Sequence, residues 1–400
     1  MQLGDDLRAL VATGHEDGSK ARTEKVDLPK EMRPRLTMGE DGGEFVTSPK
    51  APIAGEPDHA DLFAEFDLDP AQWRVTRMNR SRRQLADGEW RENFSVSFAP
   101  RPAGEAARAN LDELLAIVDA HEPTKLDPVT GDLAYVIAAG DMQLGKPDGD
   151  GTAGTVRRWC EKIDASVARL RELRAMGRQV DRIVLAVLGD CLEGVNSQGG
   201  KLVMRLELTI TEQVRLYRRL VMYAVQQLAP IGLPVTIAVV PGNHDEAHRI
   251  GDKQATRGDD SWAIEGASAV ADALELAPEK FAHVEFLFPG RDELTVALDV
   301  HGVRLGMAHG HQWRPGQADK WLSGQALGRT PIGDADVLLS GHLHHWHSRQ
   351  MGDGRLWIQV PALDGGSTWF RHLTGETAPA GIVTMLVGEG YDPLRDLAVL

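Results

Sequence analysis

From Leu133 onward, short apolar runs alternate along the chain with longer helical segments, and a strand-rich half follows. Short apolar runs bounded by turn residues are typical of buried β-strands. The predicted strands are residues 135–139, 183–188, 235–240, 284–288, 294–299, 303–308, 336–339, 356–360 and 381–387, and the predicted helices are 155–174, 206–228, 261–276 and 317–327. This order of elements predicts an α/β fold with a layered core.

The N-terminal part of the chain has a different pattern. Residues 1–55 are rich in Gly, Pro, Lys and Glu without sustained apolar periodicity, so we expect weak order there. Residues 56–128 predict a small accessory α+β unit, and residues 129–400 form the main domain. The elements predicted in the accessory unit are a helix at 60–66, a β-hairpin of strands 73–77 and 90–98, and a linker helix at 104–121.

Composition narrows the class of protein. The chain has 400 residues, a net charge of −15 and two cysteines, Cys160 and Cys191, without a CxxC spacing. This argues against a disulfide framework and fits a reducing cytoplasm. No apolar run approaches the ~18 residues of a membrane span, and we see no secretory signal, so we expect a cytoplasmic protein with no membrane segment. The acidic charge counts against a broadly basic surface for nucleic acid but allows a local basic groove.

Five short motifs stand where predicted strands run out into loops. Because sites in open α/β sheets form where the strands end, donors that are far apart in sequence can converge there. Together the motifs offer enough oxygen and imidazole donors for two adjacent metal ions, and a two-metal centre is suited to cleaving phosphate esters. In chain order they are Gly140-Asp141-Met142-Gln143, Gly189-Asp190-Cys191-Leu192-Glu193, Gly242-Asn243-His244-Asp245-Glu246, His309-Gly310-His311 and Gly341-His342-Leu343-His344.

This ordered set resembles the calcineurin-like metallophosphoesterase superfamily, whose pattern is DxH, GDxxE or GDxxD, GNHD or GNHE, a lone HG, and GHxH. Four of the five motifs stand unaltered, and the resemblance covers about residues 133–350. It implies an α/β/β/α sandwich, here with a small N-terminal α+β extension. It also implies hydrolysis of phosphodiesters by a metal-bridging hydroxide.

The resemblance further implies a role for each matching position. Asp190 would bridge both ions, the first site would be completed by Asp141, Gln143 and His344, and the second by Asn243, His309 and His342. His244 would stabilise developing charge or protonate the leaving oxygen, with Asp245 holding its ring.

Gln143 departs from the family pattern, which has histidine at this position. A carboxamide oxygen is a neutral, harder donor than imidazole, so we expect Mn²⁺, with Mg²⁺ or Fe²⁺ as alternatives, and a weaker first site. Alternatively, Gln143 does not ligate and water fills the position.

The substrate is less constrained by sequence. The chain resembles SbcD-type DNA exonuclease-like members of the superfamily from phages and actinobacteria, which predicts DNA as substrate, a possible homodimer and an uncertain ATPase partner. Arginines interleaved with tryptophans on the hairpin suit contact with backbone and bases. The candidate substrate contacts are Lys146, Glu193, His311, Arg80, Arg82 and Arg83, together with an arginine-bearing helix (Arg205, Arg215, Arg218, Arg219) and a loop at 364–371.

Each of these candidates has a plainer interpretation. Lys146 is equally well an exposed lysine, His311 a surface or supporting residue, and Glu193 a residue that orients a motif side chain. The arginines could form a solvated face. Two other functions stay open: a phosphodiesterase or phosphatase acting on nucleotides or other small phosphoesters, and a non-catalytic metal-binding module.

Overall fold

The chain forms two compact units, which divide after Glu105. The computed structural model describes residues 32–39, 42–53, 55, 57–70, 72–85, 88–100, 110–120, 131–196, 205–250, 253–366, 375 and 378–400. Within these ranges, no helix is long and apolar enough to cross a membrane.

The first unit is an antiparallel sheet covered by one short helix. Its elements are β1 (Arg35–Gly39), β2 (Gly42–Val46), α1 (His59–Ala64), β3 (Trp73–Gln84) and β4 (Trp90–Pro100). The strand order is β1-β2-β4-β3. Phe45, Phe63 and Phe98 pack together with ring centroids 5.5–5.8 Å apart and form the centre of the apolar core. The predicted hairpin is therefore present, with longer strands than the sequence indicated.

Strands β1 and β2 lie inside the segment 1–55, for which the sequence predicted weak order. The prediction is wrong for residues 35–39 and 42–46, and residues 1–31, 40–41 and 54 lie outside the described part of the chain. Every residue of β1 is exposed, so the strand has no buried face to produce an apolar alternation. Gly39, Gly42 and Gly43, which lie at the β1–β2 turn, further weaken the strand pattern in the sequence.

Two arginines of the hairpin bind a buried carboxylate within the first unit. Arg80 and Arg82 of β3 contact Glu92 of β4 at 2.7 and 3.0 Å, and the Glu92 side chain is 1 % exposed. Arg80 also donates to the carbonyl oxygen of Gly55 at 3.0 Å. The hydrogen bond from Arg80, acting against the effect of burial, lowers the pKa of Glu92 to about 2. Arg80 and Arg82 thus hold the sheet together.

Glu92→Gln is expected to destabilise the first unit by about 2 kcal/mol at pH 7, because a charge-assisted hydrogen-bond network is lost. Since the folded-state pKa lies below the ordinary value of 4.5, the stabilisation is present above that value and is lost as the pH falls toward about 2. Amide hydrogen exchange of residues 73–100 at pH 7 and pH 3 measures it. Glu89→Gln, at a side chain that is 61 % exposed, is the matched control. Equal protection in both variants at pH 7 would contradict the assignment.

The second unit contains six helices and thirteen strands in the part that the structure describes. The helices are α2 (Leu111–Asp119), α3 (Gly151–Ala175), α4 (Ile210–Leu228), α5 (Trp262–Leu274), α6 (Pro278–Phe281) and α7 (Ala318–Leu327), with 3₁₀ turns at Ala229–Ile231, Pro331–Asp334 and Gly352–Gly354. The strands are β5 (Leu133–Ala139), β6 (Val180–Val187), β7 (Val235–Val239), β8 (Arg249–Ile250), β9 (Lys253–Gln254), β10 (Val284–Leu287), β11 (Val296–Val300), β12 (Val303–Met307), β13 (Val337–Ser340), β14 (His347–Gln350), β15 (Leu356–Gln359), β16 (Val383–Val387) and β17 (Ala398–Val399).

Two mixed sheets form the centre of this unit. One has the order β10-β7-β6-β5-β16-β17 and is parallel from β10 to β5. The other has the order β11-β12-β13-β15-β14 and is parallel from β12 to β15. Strands β8 and β9 form a separate pair.

Burial on both faces of the sheets produces four layers. In β5, Tyr135 and Ile137 belong to the core shared with the helices, whereas Val136 belongs to the core between the sheets. The far face of the second sheet packs through Leu338 on Ala318 of α7. The predicted α/β/β/α sandwich is therefore confirmed.

The helix predicted at 104–121 belongs to the second unit. It spans 111–119 and packs on α3 and α4, so the division of the chain precedes it rather than following residue 128. Helix α4 begins at Ile210 instead of 206 because Thr209 and Glu212 form a reciprocal capping box. This capping box, a Thr followed three residues later by a Glu, can be read from the sequence.

Candidate metal centre

Five strand ends bring the predicted ligands to one edge of the two sheets. Asp141 follows β5, Asp190 follows β6, and Asn243 follows β7, which are neighbouring parallel strands. His309 follows β12 and His342 follows β13 in the second sheet. Parallel strands end at the same edge of a sheet, and ligand atoms from the two sheets lie within 4.8 Å of one another, so both sheets deliver their ligands to the same side.

Asp190, His309 and His342 form the tightest cluster. Each offers one ligand atom, and these atoms lie within 4.8 Å of one another. Asp190 Oδ2 is 3.1 Å from His309 Nε2. His309 Nδ1 donates to the carbonyl oxygen of Leu188 at 2.7 Å, so Nε2 is the atom that would bind a cation, in place of its proton.

Asp141 joins this cluster to His344. Its Oδ2 accepts from the backbone N–H of His342 at 2.9 Å, and its Oδ1 lies 3.3 Å from His344 Nε2. Gln143 Nε2 lies 3.4 Å from the same ring nitrogen. The structure therefore brings Gln143 to the site, but its oxygen accepts from Lys146 Nζ at 2.7 Å.

Asn243 Oδ1 is buried without a hydrogen bond to a described residue. Two further buried ligand atoms face other predicted ligands: Asp141 Oδ1 lies 3.3 Å from His344 Nε2, and His309 Nε2 lies 3.1 Å from Asp190 Oδ2. Buried polar atoms are rarely left without a hydrogen bond, and carboxylate, amide and imidazole atoms are all ligands for divalent transition metals. A divalent cation fits this set of ligand atoms. Gln143 fits it less well, because its oxygen already accepts from the Lys146 ammonium, whose charge repels a cation.

The backbone of the site is strained. Non-glycine residues with positive φ cost about 1–3 kcal/mol each and concentrate at functional sites. Ten such residues occur in the described ranges, and half of them are predicted ligands. These are Asp141, Gln143, Asp190, His342 and His344, with φ values of 43–76°.

Glycine is required where backbone meets ligand. A Cβ at Gly242 would lie 2.0 Å from Asp190 Oδ1, and one at Gly341 would lie 2.4 Å from Asp141 Oδ2. Any side chain at these two positions would collide with the carboxylate of Asp190 or Asp141, so the motifs require glycine there for steric reasons.

His244 lies beside the cluster and is oriented by Glu193. Its Nδ1 lies 3.3 Å from the carbonyl oxygen of Glu193 and 3.5 Å from the Glu193 carboxylate. Its Nε2 faces Asp190 Oδ2 at 3.9 Å. Burial lowers the pKa of His244, but the charges of Asp190 and Glu193 outweigh it and raise the pKa to about 9. The ring is thus an imidazolium near neutral pH without a cation.

Asp245 has a different role from the predicted one. Its two oxygens accept from the backbone N–H groups of Leu192 and Gly242, each at 3.0 Å, so it holds two motif loops together instead of the ring of His244. Burial and the nearby charge of Asp190 raise the pKa of Asp245 to about 7. The identity of the ring's partner was missed because Glu193 and Asp245 are both acidic residues close to His244 in the motifs.

His311 and His342 are held as neutral rings. Burial and the charge of His309 lower the pKa of His342 to about 4, which leaves the form that binds cations. The same causes lower the pKa of His311 to about 3. The His311 ring lies 5.4 Å from that of His309 and 6.2 Å from that of His342, so it packs beside the ligands.

Lys146 and Asp364 form an ion pair that the sequence did not reveal. The Asp364 side chain is 3 % exposed, pairs with Lys146 and lies 3.5 Å from His344 Nδ1. The sequence marks Asp364 only as the start of a predicted substrate loop, whose residues 367–371 lie outside the described ranges. The residues are 218 positions apart, and no local pattern marks the contact.

Several predicted substrate arginines are bound to carboxylates. Arg80 and Arg82 bind Glu92, so both guanidinium groups have a partner within the sheet, and their contact with DNA stays a prediction. On α4, Arg218 pairs with Glu265 at 3.0 Å and Arg219 pairs with Asp119.

Comparison with solved structures gives matches of low identity. A conserved uncharacterized protein from Streptococcus pneumoniae, described as a predicted phosphoesterase, is 13% identical, with 65% of this chain and 86% of that chain covered and a TM-score of 0.28. Vps29 complexed with zinc from Entamoeba histolytica is 15% identical, with 63% and 84% covered and a TM-score of 0.27. A hypothetical protein from Pyrococcus horikoshii is 11% identical, with 66% and 90% covered and a TM-score of 0.31.

No curated protein matches the sequence. The family model described as calcineurin-like phosphoesterase matches residues 129–346, which is more than half of the chain and contains every motif of the candidate metal centre. The chain belongs to the calcineurin-like phosphoesterase family.

Proposed function

We propose that this chain is a metal-dependent phosphodiesterase whose substrate is DNA. The family indicates metal-dependent hydrolysis of phosphoesters. The observation that carries the proposal is the convergence of Asp190, His309 and His342 within 4.8 Å, beside His244.

Different residues of the chain would bind the cations and donate the proton. Asp141, Asp190, Asn243, His309 and His342 would hold the cations. Divalent cations, when bound, supply Lewis-acid activation of water and of the phosphoryl group. Glu193 holds the Nδ1 side of His244, which leaves Nε2 on the side of the cluster. From there Nε2 would donate a proton to the leaving oxygen.

The charges at the site favour a diester over a monoester. A phosphate monoester carries a second negative charge near neutral pH, which a lysine or arginine in addition to the His244 imidazolium would neutralise. In the described part of the site, Lys146 already pairs with Asp364, and Arg249 pairs with Glu246 at 2.8 Å. A singly charged diester makes no such demand.

An exposed aromatic side chain supports a nucleic-acid substrate. Trp346 is 44 % exposed and follows the predicted ligand His344 by two residues. Stacking of bases on exposed aromatic side chains is a common mode of binding single-stranded nucleic acid. Trp346 would hold a base next to the phosphate that is cleaved.

Trp346→Ala is expected to weaken DNA binding by about 1–3 kcal/mol, which is the range for loss of one stacked base. The KM for single-stranded DNA should rise, while turnover of bis-p-nitrophenyl phosphate, which has no base, should be unchanged. Trp346→Phe keeps a ring and should retain most of the affinity. Equal effects on both substrates would contradict a stacking role.

Smaller nucleotides are the second candidate substrate. Arg80, Arg82, Arg218 and Arg219, which could have contacted a long backbone, all pair with carboxylates. The net charge of −15 points the same way. This observation favours a short substrate over a polymer.

The deciding experiment is incubation with Mn²⁺ and either linear single- and double-stranded DNA or bis-p-nitrophenyl phosphate. Nucleotide release from DNA that stops on chelation supports the nuclease. Turnover of the small diester alone supports the second candidate. Absence of both activities, with Mn²⁺ bound, would refute hydrolysis and support a non-catalytic metal-binding module.

A further inference from the structure

Lys146 lies at the end of the metal centre where the family pattern has histidine and this chain has Gln143. Its side chain is 14 % exposed. Its ammonium donates to Gln143 Oε1 at 2.7 Å and pairs with the buried carboxylate of Asp364. An ammonium and a divalent cation compete for the same oxygen.

The ammonium also fixes the orientation of the Gln143 amide. Lysine has three donors and no acceptor, so only the amide oxygen can face it. The amide nitrogen consequently faces His344 Nε2, at 3.4 Å. Reversing the amide would set N–H donors against the ammonium. Lys146 thus turns the Gln143 oxygen away from the ring that would share a cation with it.

Asp364 connects Lys146 with His344. Its Oδ2 pairs with Lys146 and lies 3.5 Å from His344 Nδ1, and the carboxylate is buried. One carboxylate therefore anchors the ammonium and orients the histidine. The Lys146 ammonium is thereby fixed against Gln143 at the Asp141, Gln143 and His344 end of the centre, as one half of an ion pair.

The opposite end of the centre has different contacts. His309 Nε2 faces Asp190 Oδ2 at 3.1 Å, and Asn243 Oδ1 is buried without a hydrogen bond to a described residue. His309 Nδ1 lies 2.7 Å from the carbonyl oxygen of Leu188. The two ends thus differ in their contacts, since an ammonium holds a predicted ligand atom, Gln143 Oε1, at the Lys146 end.

We propose that Lys146 acts as an internal cation that opposes a divalent ion at the Asp141, Gln143 and His344 end. The chain then binds one divalent ion tightly at Asp190, His309 and His342 and a second one weakly. The inference rests on the proposed metal centre, and it gives this chain a second site whose occupancy depends on the metal concentration.

The test is the binding of Mn²⁺ by equilibrium dialysis, with electron paramagnetic resonance to detect spin-coupled ion pairs. In the wild type, one ion binds tightly, and coupled pairs form only at high Mn²⁺. Lys146→Met removes the ammonium from Gln143 Oε1 and should tighten the second site by about 10- to 100-fold, which is the size of effect, though there a loss, that changes at partners of metal ligands produce. Coupled pairs should then form at correspondingly lower Mn²⁺.

Two further variants control the result. Lys146→Arg keeps the charge and should keep the second site weak. Lys280→Met, at an exposed lysine of α6, should change nothing. Should Lys146→Met fail to fold by circular dichroism, Lys146→Gln carries the same expectation.

Two equally tight sites in the wild type, or an unchanged second site in the neutral variants, would overturn the inference while leaving the metal centre intact. Absence of Mn²⁺ binding in every variant would overturn the metal centre itself, and the inference with it.

Discussion

Asp190→Asn is expected to abolish metal-dependent hydrolysis and to lower the affinity for Mn²⁺ by more than about 100-fold. A loss of about 100-fold is the upper limit for changing a residue that only supports a ligand. Asp190 is a predicted ligand itself, so a larger loss is expected. Its Oδ2 lies 3.1 Å from His309 Nε2, while its Oδ1 accepts from the backbone N–H of His244 at 2.8 Å. Removing the charge leaves two facing imidazoles without an anionic ligand between them. Mn²⁺ titration calorimetry and initial rates measure both effects.

Asp181→Asn is the matched control for this change. Asp181 lies on the same strand, β6, and its partner is His301 at 2.7 Å. Metal affinity and rate should stay at the wild-type value in this variant. Wild-type hydrolysis in Asp190→Asn would show that the site is misassigned.

His244→Asn is expected to lower the rate by about 10²–10⁴-fold, the usual contribution of a general acid. The affinity for Mn²⁺ should remain near the wild-type value, because the ring is held by Glu193 and is not among the clustered ligand atoms. The loss should be greater for an alkoxide leaving group, which needs the proton, than for p-nitrophenolate. The ratio of the two losses measures proton donation directly.

His283→Asn serves as the control, since the His283 ring contacts only the carbonyl oxygen of Ala229 among the bonds of the described residues. It should leave the ratio unchanged. Equal losses of rate for the two leaving groups in His244→Asn would remove the role of proton donor. Loss of Mn²⁺ affinity in that variant would instead make His244 a ligand.

The positions of the metal motifs were predictable because strand ends encode them. Each ligand follows an apolar run that is buried on both faces, as in β5 and β6. Parallel pairing then brings these ends together without further information from the sequence. The α/β class follows from this rule, whereas the four-layer sandwich and the joining of Asp190 with His309 and His342 of the second sheet were implied by the family resemblance.

Partners within the site were not predictable in the same way. The choice between Glu193 and Asp245 for His244 depends on how two loops are packed, which no spacing encodes. Lys146 and Asp364 are 218 residues apart in the sequence and form an ion pair. The predicted phosphate contact of Lys146 therefore competes with a carboxylate that the motif does not reveal.

The pairing of the hairpin arginines with Glu92 was not predictable for a related reason. The arginines along β3 are visible in the sequence. Glu92 on β4, which binds Arg80 and Arg82, is buried, but in the sequence it looks like an ordinary surface glutamate. Burial of a charged group is set by tertiary packing, which local pattern does not report.

Anomalous diffraction from crystals loaded with Mn²⁺ is the most direct measurement of the metal centre. A peak is expected within about 2–2.5 Å of Asp190 Oδ2, His309 Nε2 and His342, which is the range of metal–ligand distances. A weaker peak beside Asp141 and His344 should appear only at high Mn²⁺. Crystals saturated with Mn²⁺ that show no peak between Asp190, His309 and His342 would contradict the assignment of this cluster as a metal site.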